Sequence, residues 1–148
     1  DEAERSSRTA AVRKALRNGL VALRDALKRR LPVDARNLAG LAGAYRGLAE
    51  NLGQQGKDEK AREAYVQALR HYRQLLSGLD PADEEDRELF WEMQLGFCEC
   101  VLAGFSGSAD AMADLRGRIR LLYQRDPAMG GYYARFNAIE SEAARLSG

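Results

Sequence analysis

Apolar residues recur at intervals of three and four along most of the chain, the spacing that places them on one face of an α-helix. In residues 8–31 this stripe comprises Val12, Leu16, Leu20, Leu23, Leu27 and Leu31. Basic residues lie on the opposite side of the same helix, at Arg13, Arg17, Arg24 and Lys28. No segment alternates polar and apolar residues as a half-buried β-strand does. The pattern therefore predicts an all-α fold of about six helices.

Five further helices follow the first in this pattern, each bounded by a polar turn or by glycine or proline: 35–54, 58–77, 81–104, a segment after the turn at 105–108, and 131–147. Asp34 is the predicted cap of the second helix, and Gly78 that of the third. The second helix also contains Gly40, Gly43 and Gly47, which cost about 1 kcal/mol each relative to alanine. We expect these glycines to permit a close approach of another helix.

The three prolines, Pro32, Pro81 and Pro127, divide the chain at intervals of 49 and 46 residues. Each interval is long enough for two helices, so the spacing indicates a repeat of helix pairs. At Asp80-Pro81 and Asp126-Pro127 the aspartate can cap a helix whose first residue is the proline. Both dipeptides are therefore predicted helix starts.

One segment resembles the tetratricopeptide repeat, through Tyr45, Leu48, Ala49, Leu52, Gly56, Ala61, Tyr65 and Ala68. The resemblance implies antiparallel hairpins stacked as a short right-handed solenoid, with a concave groove that receives a peptide or a helix of another protein. The groove-facing set carried over from the family is Arg46, Glu50 and Gln54. These residues do not reproduce the Lys/Asn pattern with which some members clamp a C-terminal carboxylate.

The fourth helix has apolar residues on two faces, one with Trp91, Leu95, Cys98 and Leu102, the other with Phe90, Met93, Phe97 and Val101. A helix that is apolar nearly all round is normally buried between neighbours. The alternative is that Phe90, Met93 and Phe97 form an exposed groove for a partner helix. Both interpretations remain open from the sequence.

The 23 basic and 22 acidic side chains nearly cancel, so no overall field of one sign attracts nucleic acid or anionic lipid. Residues 1–31 nevertheless carry nine basic and four acidic side chains. Residues 80–104 carry one basic and eight acidic side chains. The first helix could touch phosphates, but no aromatic residue precedes Tyr45 to stack on bases. Nucleic-acid binding is therefore a minor alternative.

No catalytic motif is present, and we expect neither enzyme activity nor a cofactor or metal. Cys98 and Cys100 lie two positions apart on one helix, point in different directions, and should not form a disulfide. The only histidine, His71, is predicted on the side or surface of the third helix. Acidic residues 83–86 suit the first turn of a helix and lack the spacing of a calcium loop.

The chain contains no apolar run long enough for a membrane span and no signal-peptide core, so we expect a soluble, cytoplasmic domain. Its 148 residues suit one domain, and the start at Asp1 suggests a processed protein or a domain excised from a longer chain. The predicted function is protein–protein interaction, with another protein, a peptide or the rest of its own chain as partner. The alternative is a structural domain that self-associates as a homo-oligomer.

Overall fold

A computed structural model describes residues 1–29 and 32–148, with side chains described at 1–20 and 35–148. These residues form six α-helices, numbered α1 to α6: Glu2–Arg29, Pro32–Gln54, Asp58–Ser77, Glu84–Phe105, Ala109–Arg125 and Tyr133–Ser147. A 3-10 turn, Met129–Gly131, precedes α6, and the described ranges contain no strand. The all-α prediction is confirmed. The predicted cap of the second helix is wrong, because α2 begins at Pro32 and Asp34 is its third residue. The predictions for Leu23, Leu27, Leu31, Arg24 and Lys28 fall outside the described side chains.

Helices that follow one another in the chain pack against each other, and α4 additionally contacts α6. The most extensive contact is that between α2 and α3, and small side chains line it. Ala49 of α2 is fully buried, as is Ala68 of α3, and the Cβ position at Gly53 would lie 4.0 Å from Cβ of Ala61. Small residues at these positions let the two backbones approach.

The α4 helix occupies the middle of the fold, in contact with α3, α5, α6 and the 3-10 turn. Its side chains are buried almost continuously from residue 90 to residue 100. Phe90, Met93 and Phe97 are 4%, 6% and 4% exposed, so they do not form an open apolar face. The interpretation of this helix as a buried one is confirmed, and the exposed groove is not observed.

The prediction for the glycines of α2 is wrong. No described atom lies within 4 Å of a Cβ placed at Gly40, Gly43 or Gly47. Close approach occurs instead on α4, where a Cβ at Gly96 would be 2.8 Å from the ring of Tyr72 and one at Gly104 2.9 Å from Cβ of Tyr65. Two tyrosines of α3 therefore pack directly on the α4 backbone, which only glycine permits.

The two Asp-Pro dipeptides do not start helices. Both form turns in which the aspartate carboxylate accepts a hydrogen bond from the backbone two residues later, at Ala82 and at Ala128. The α4 helix begins three residues after Pro81, capped by the Asp83 side chain, and α6 begins six residues after Pro127. The aspartate satisfies local backbone donors in a turn, and this competes with helix initiation at the same dipeptide.

Candidate functional site

Two of the three groove residues implied by the repeat resemblance, Arg46 and Glu50, take part in an intramolecular ion-pair network. Arg46 pairs with Glu50 and with Glu99, each at 3.2 Å, and Glu99 also pairs with Arg135 at 2.9 Å. Burial lowers the pKa of Arg46, but the hydrogen bond with Glu99 and the negative charge of Glu99 outweigh this effect. The pKa of Arg46 is therefore raised above its ordinary value. Gln54 is exposed near the end of α2. The network thus ties α2, α4 and α6 together and neutralises most of its own charge.

A cleft with a volume of about 560 Å³ lies between α3 and α5, with α4 beneath it. Apolar side chains of α4 form its floor: Phe97, Val101 and Phe105. Basic side chains from the two flanking helices form its rim: Arg70, Arg73 and Arg118. Among the described residues of the lining, Asp114 is the single acidic one. We call this feature the arginine-rimmed cleft.

Arg118 is held in place by two contacts with α4. Its Nε and one terminal nitrogen donate to Oε1 of Gln94 at 3.1 and 3.0 Å, and its Cζ lies 3.8 Å from the ring centre of Phe97. Arg73 approaches the same ring from α3, with Cζ 5.5 Å from the centre. Phe97 therefore brings two guanidinium groups from different helices together through cation–π contacts.

The positive charge of the rim is not balanced within the described part of the chain. No carboxylate there forms an ion pair with Arg70, Arg73 or Arg118. Burial lowers the pKa of Arg118, and the charge of Arg73 lowers it further, although the guanidinium stays protonated. An anion bound here would relieve this repulsion.

Of the predicted partner-binding residues, Phe97 alone lines the cleft. Phe90 lies beneath Arg125, whose Cζ is 5.7 Å from the ring centre, and Met93 is in the core. Arg73 and Arg118 were not predicted from the sequence, because they belong to two different helices, α3 and α5, that meet only in the fold. One signal in the sequence could have indicated them, because arginine recurs at helical spacing on one face of each helix. The positions are 70 and 73 in α3, and 118 and 125 in α5.

The two cysteines lie in the core as separate thiols. Burial raises the pKa of Cys98 and of Cys100 to about 12. Because the thiolate is the reactive form, neither sulfur is a nucleophile near neutral pH. They act as small apolar side chains in the packing of α4.

His71 is buried, contrary to its predicted place on the side or surface of α3. Its side chain is 5% exposed and stacks on Tyr45 of α2, with ring centres 5.3 Å apart and an interplanar angle of 19°. Its Nδ1 atom has no hydrogen-bond partner among the described residues. The contact with Tyr45 explains the difference, since the periodicity of α3 alone does not reveal which side α2 covers.

The burial of His71 predicts a loss of stability in mild acid. Burial lowers the pKa of His71 below its ordinary value of 6.5, and the charge of Arg70 acts in the same direction. The unfolded chain therefore binds this proton more tightly, and the free energy of unfolding should decrease as the pH falls below 6.5. Urea unfolding at about pH 7.5 and about pH 5 measures the change.

A His71→Gln variant is the matched control for this prediction, because its amide does not titrate. We expect the difference in unfolding free energy between the two pH values to be smaller in the variant than in the wild-type chain. An equal difference in both proteins would show that other groups cause the pH dependence.

Within the described ranges, no helix is long and apolar enough to cross a bilayer, and no group of three or more side chains could hold a metal ion. No family model, curated protein or solved structure matches this chain. The functional inference therefore rests on the arginine-rimmed cleft and on the residues around it.

Proposed function

We propose that this chain is a protein-interaction module that binds a segment of another protein in the arginine-rimmed cleft. The observation that carries the proposal is an apolar floor next to three arginines that have no acidic partner among the described residues. The arginine-rimmed cleft has a volume of about 560 Å³, which falls within the range of ligand-binding sites in proteins. An apolar floor with a few convergent polar groups suits a peptide that inserts one or two side chains.

The scaffold in this proposal is a short stack of tetratricopeptide-like hairpins. The close packing of α2 on α3 at Ala49 and Ala61 supports it, because the resemblance places small residues at these positions. The ion pairs of Glu99 with Arg46 and Arg135 also support it, since they connect α2, α4 and α6. Alternate helices share one surface in such a stack.

The proposed site lies on a different side of α4 from the groove that the resemblance implies. Phe97 and Glu99 are two residues apart, which is a rotation of roughly 200° around the helix. Glu99 belongs to the surface with Arg46 and Glu50, and Phe97 belongs to the cleft. We favour the cleft because Arg46 and Glu50 already neutralise each other, whereas the arginines of the rim lack carboxylate partners within the described part of the chain.

A random peptide library displayed on phage, panned against the wild-type chain, provides probes for the proposed site. Enriched peptides are then synthesised with a fluorescent label, and their binding is measured by anisotropy. The binding partners are the wild-type chain and two variants in which an alanine of α5 is replaced by tryptophan. Ala111→Trp puts a large ring into the cleft, whereas Ala113→Trp puts the same ring on the exposed surface outside it. The Ala111 side chain is separate from the helix cap, in which the backbone N–H of Ala111 donates to Ser108.

We expect Ala111→Trp to weaken peptide binding by at least about tenfold and Ala113→Trp by less than about twofold. A third variant, Arg46→Glu with Glu50→Arg, reverses the charges on the predicted groove while keeping opposite signs at those positions. Peptides sensitive to this exchange but not to Ala111→Trp would place binding in the predicted groove and contradict the proposed site. Failure to enrich any peptide would contradict the proposed function.

A further inference from the structure

We infer that the segment bound in the cleft is acidic, with an aspartate or glutamate side chain placed between Arg73 and Arg118. A neighbouring apolar side chain of the same segment packs on Val101 and Phe105 of the floor. This inference rests on the proposed function and adds the chemistry of the ligand.

Two cations from different helices lie near one aromatic ring. The guanidinium carbon of Arg118 lies 3.8 Å from the ring centre of Phe97, and that of Arg73 lies 5.5 Å from it. The two like charges repel each other, and an anion placed between them would relieve this repulsion. A carboxylate is the shape that guanidinium groups bind best, through paired N–H donors.

Residue 94 orients Arg118 without neutralising its charge. The side chain that orients Arg118 from below is Gln94, a neutral amide that is 7% exposed and accepts two hydrogen bonds through one oxygen. A glutamate here would orient the arginine equally well and cancel its charge. With glutamine, Arg118 is fixed in position while its charge remains available to a ligand.

The cleft suits a protein segment better than a nucleic acid. Arg118 covers the face of Phe97, which is 4% exposed, so this ring cannot stack on a nucleic-acid base. The floor is apolar and the net charge of the chain is +1, which differs from the broad basic surface of nucleic-acid-binding domains. A protein segment that combines acidic and apolar side chains fits both features.

A second contact on the same side extends the site. Arg125 lies over Phe90 at 5.7 Å, seven residues after Arg118 in α5 and therefore about 10 Å further along the helix axis. A ligand with two acidic side chains about 10 Å apart would reach both arginines, as residues seven apart in a helical peptide do.

The test uses the peptides enriched by panning, each compared with a copy in which every Asp or Glu is replaced by Asn or Gln. Binding is measured by anisotropy against Gln94→Glu, which supplies Arg118 with an internal carboxylate at almost unchanged volume. Gln124→Glu makes the same charge change on the exposed surface of α5 and is the control. Arg73→Gln, with Arg62→Gln as its control on α3, removes the second cation.

We expect the enriched peptides to be rich in Asp and Glu and their amide copies to bind at least about tenfold more weakly. Gln94→Glu and Arg73→Gln should each weaken the binding of the acidic peptides by about tenfold. The control variants, Gln124→Glu and Arg62→Gln, should each weaken it by less than about twofold. Thermal melts of every variant show that lost binding does not reflect unfolding.

Three results would overturn the inference. Amide copies that bind as tightly as the acidic peptides, yet lose binding in Ala111→Trp, would leave the cleft as a protein site without an anionic requirement. Binding that survives in Ala111→Trp would refute the proposed site, and with it the inference about the ligand of that site. A labelled single-stranded RNA that binds more tightly than the acidic peptides, and is lost in Arg73→Gln, would replace the protein ligand by nucleic acid.

Discussion

Replacement of Gly130 by alanine is expected to destabilise the fold by about 3 kcal/mol or more. Gly130 has φ +66°, a left-handed conformation that costs alanine about 1 kcal/mol. Its Cβ would lie 2.3 Å from Cγ of Trp91, so the indole or the 3-10 turn must move. Trp91 is 2% exposed and packs edge-on against Phe136, which leaves little room for that movement.

Urea unfolding followed by fluorescence measures this effect, because Trp91 is the sole tryptophan. Gly131→Ala is the control, since Gly131 also has a positive φ, +93°, but no described atom within 4 Å of its Cβ position. We expect it to show the backbone cost alone. Equal losses in the two variants would mean that contact with Trp91 contributes nothing and that the packing described for this turn is wrong.

Gly96→Ala is expected to cost about 1 to 3 kcal/mol, through overpacking of the contact between α3 and α4. Its Cβ would lie 2.8 Å from both Cζ and Oη of Tyr72, a side chain that is itself buried. In a Tyr72→Leu background the clash is removed. The same glycine replacement should then be nearly neutral, so the two changes should show a coupling energy in a double-mutant cycle.

Gly47→Ala is the matched control in α2, where no described atom lies within 4 Å of the new Cβ. Alanine there should increase the free energy of unfolding by about 0.5 to 1 kcal/mol, because it favours the helix without a clash. Denaturant titration of both variants gives the comparison. A stabilising Gly96→Ala together with a destabilising Gly47→Ala would reverse the assignment of which glycines permit close packing.

Gly96 and Gly47 show which packing contacts the sequence could not predict. The glycines of α2 and those of α4 look alike in the sequence, and only the position of Tyr72 on the neighbouring helix distinguishes them. The same limit applies to His71, which Tyr45 covers from α2. Both predictions were wrong because helix periodicity indicates which face is apolar but does not indicate which neighbour lies against it.

The same limit of helix periodicity applies to the residues of the arginine-rimmed cleft. Phe97 was a candidate from the apolar pattern of α4, but Arg73 and Arg118 come from helices on either side and meet only over its ring. Arg46 and Glu50 were candidates through the repeat resemblance, and their ion pairs with each other and with Glu99 became visible only in the fold. Charge and ring contacts between distant residues have no periodic signal in the sequence.

The amino-acid sequence by itself determined the all-α class, most helix bounds to within a few residues and the apolar character of α4 on two faces. These features follow from a period of 3.6 residues that every turn of a helix repeats locally. The tertiary structure decided where the Asp-Pro turns end, which glycines pack and where the cleft lies. Those features depend on the distances between helices, which are set by how whole side chains fit together across the core.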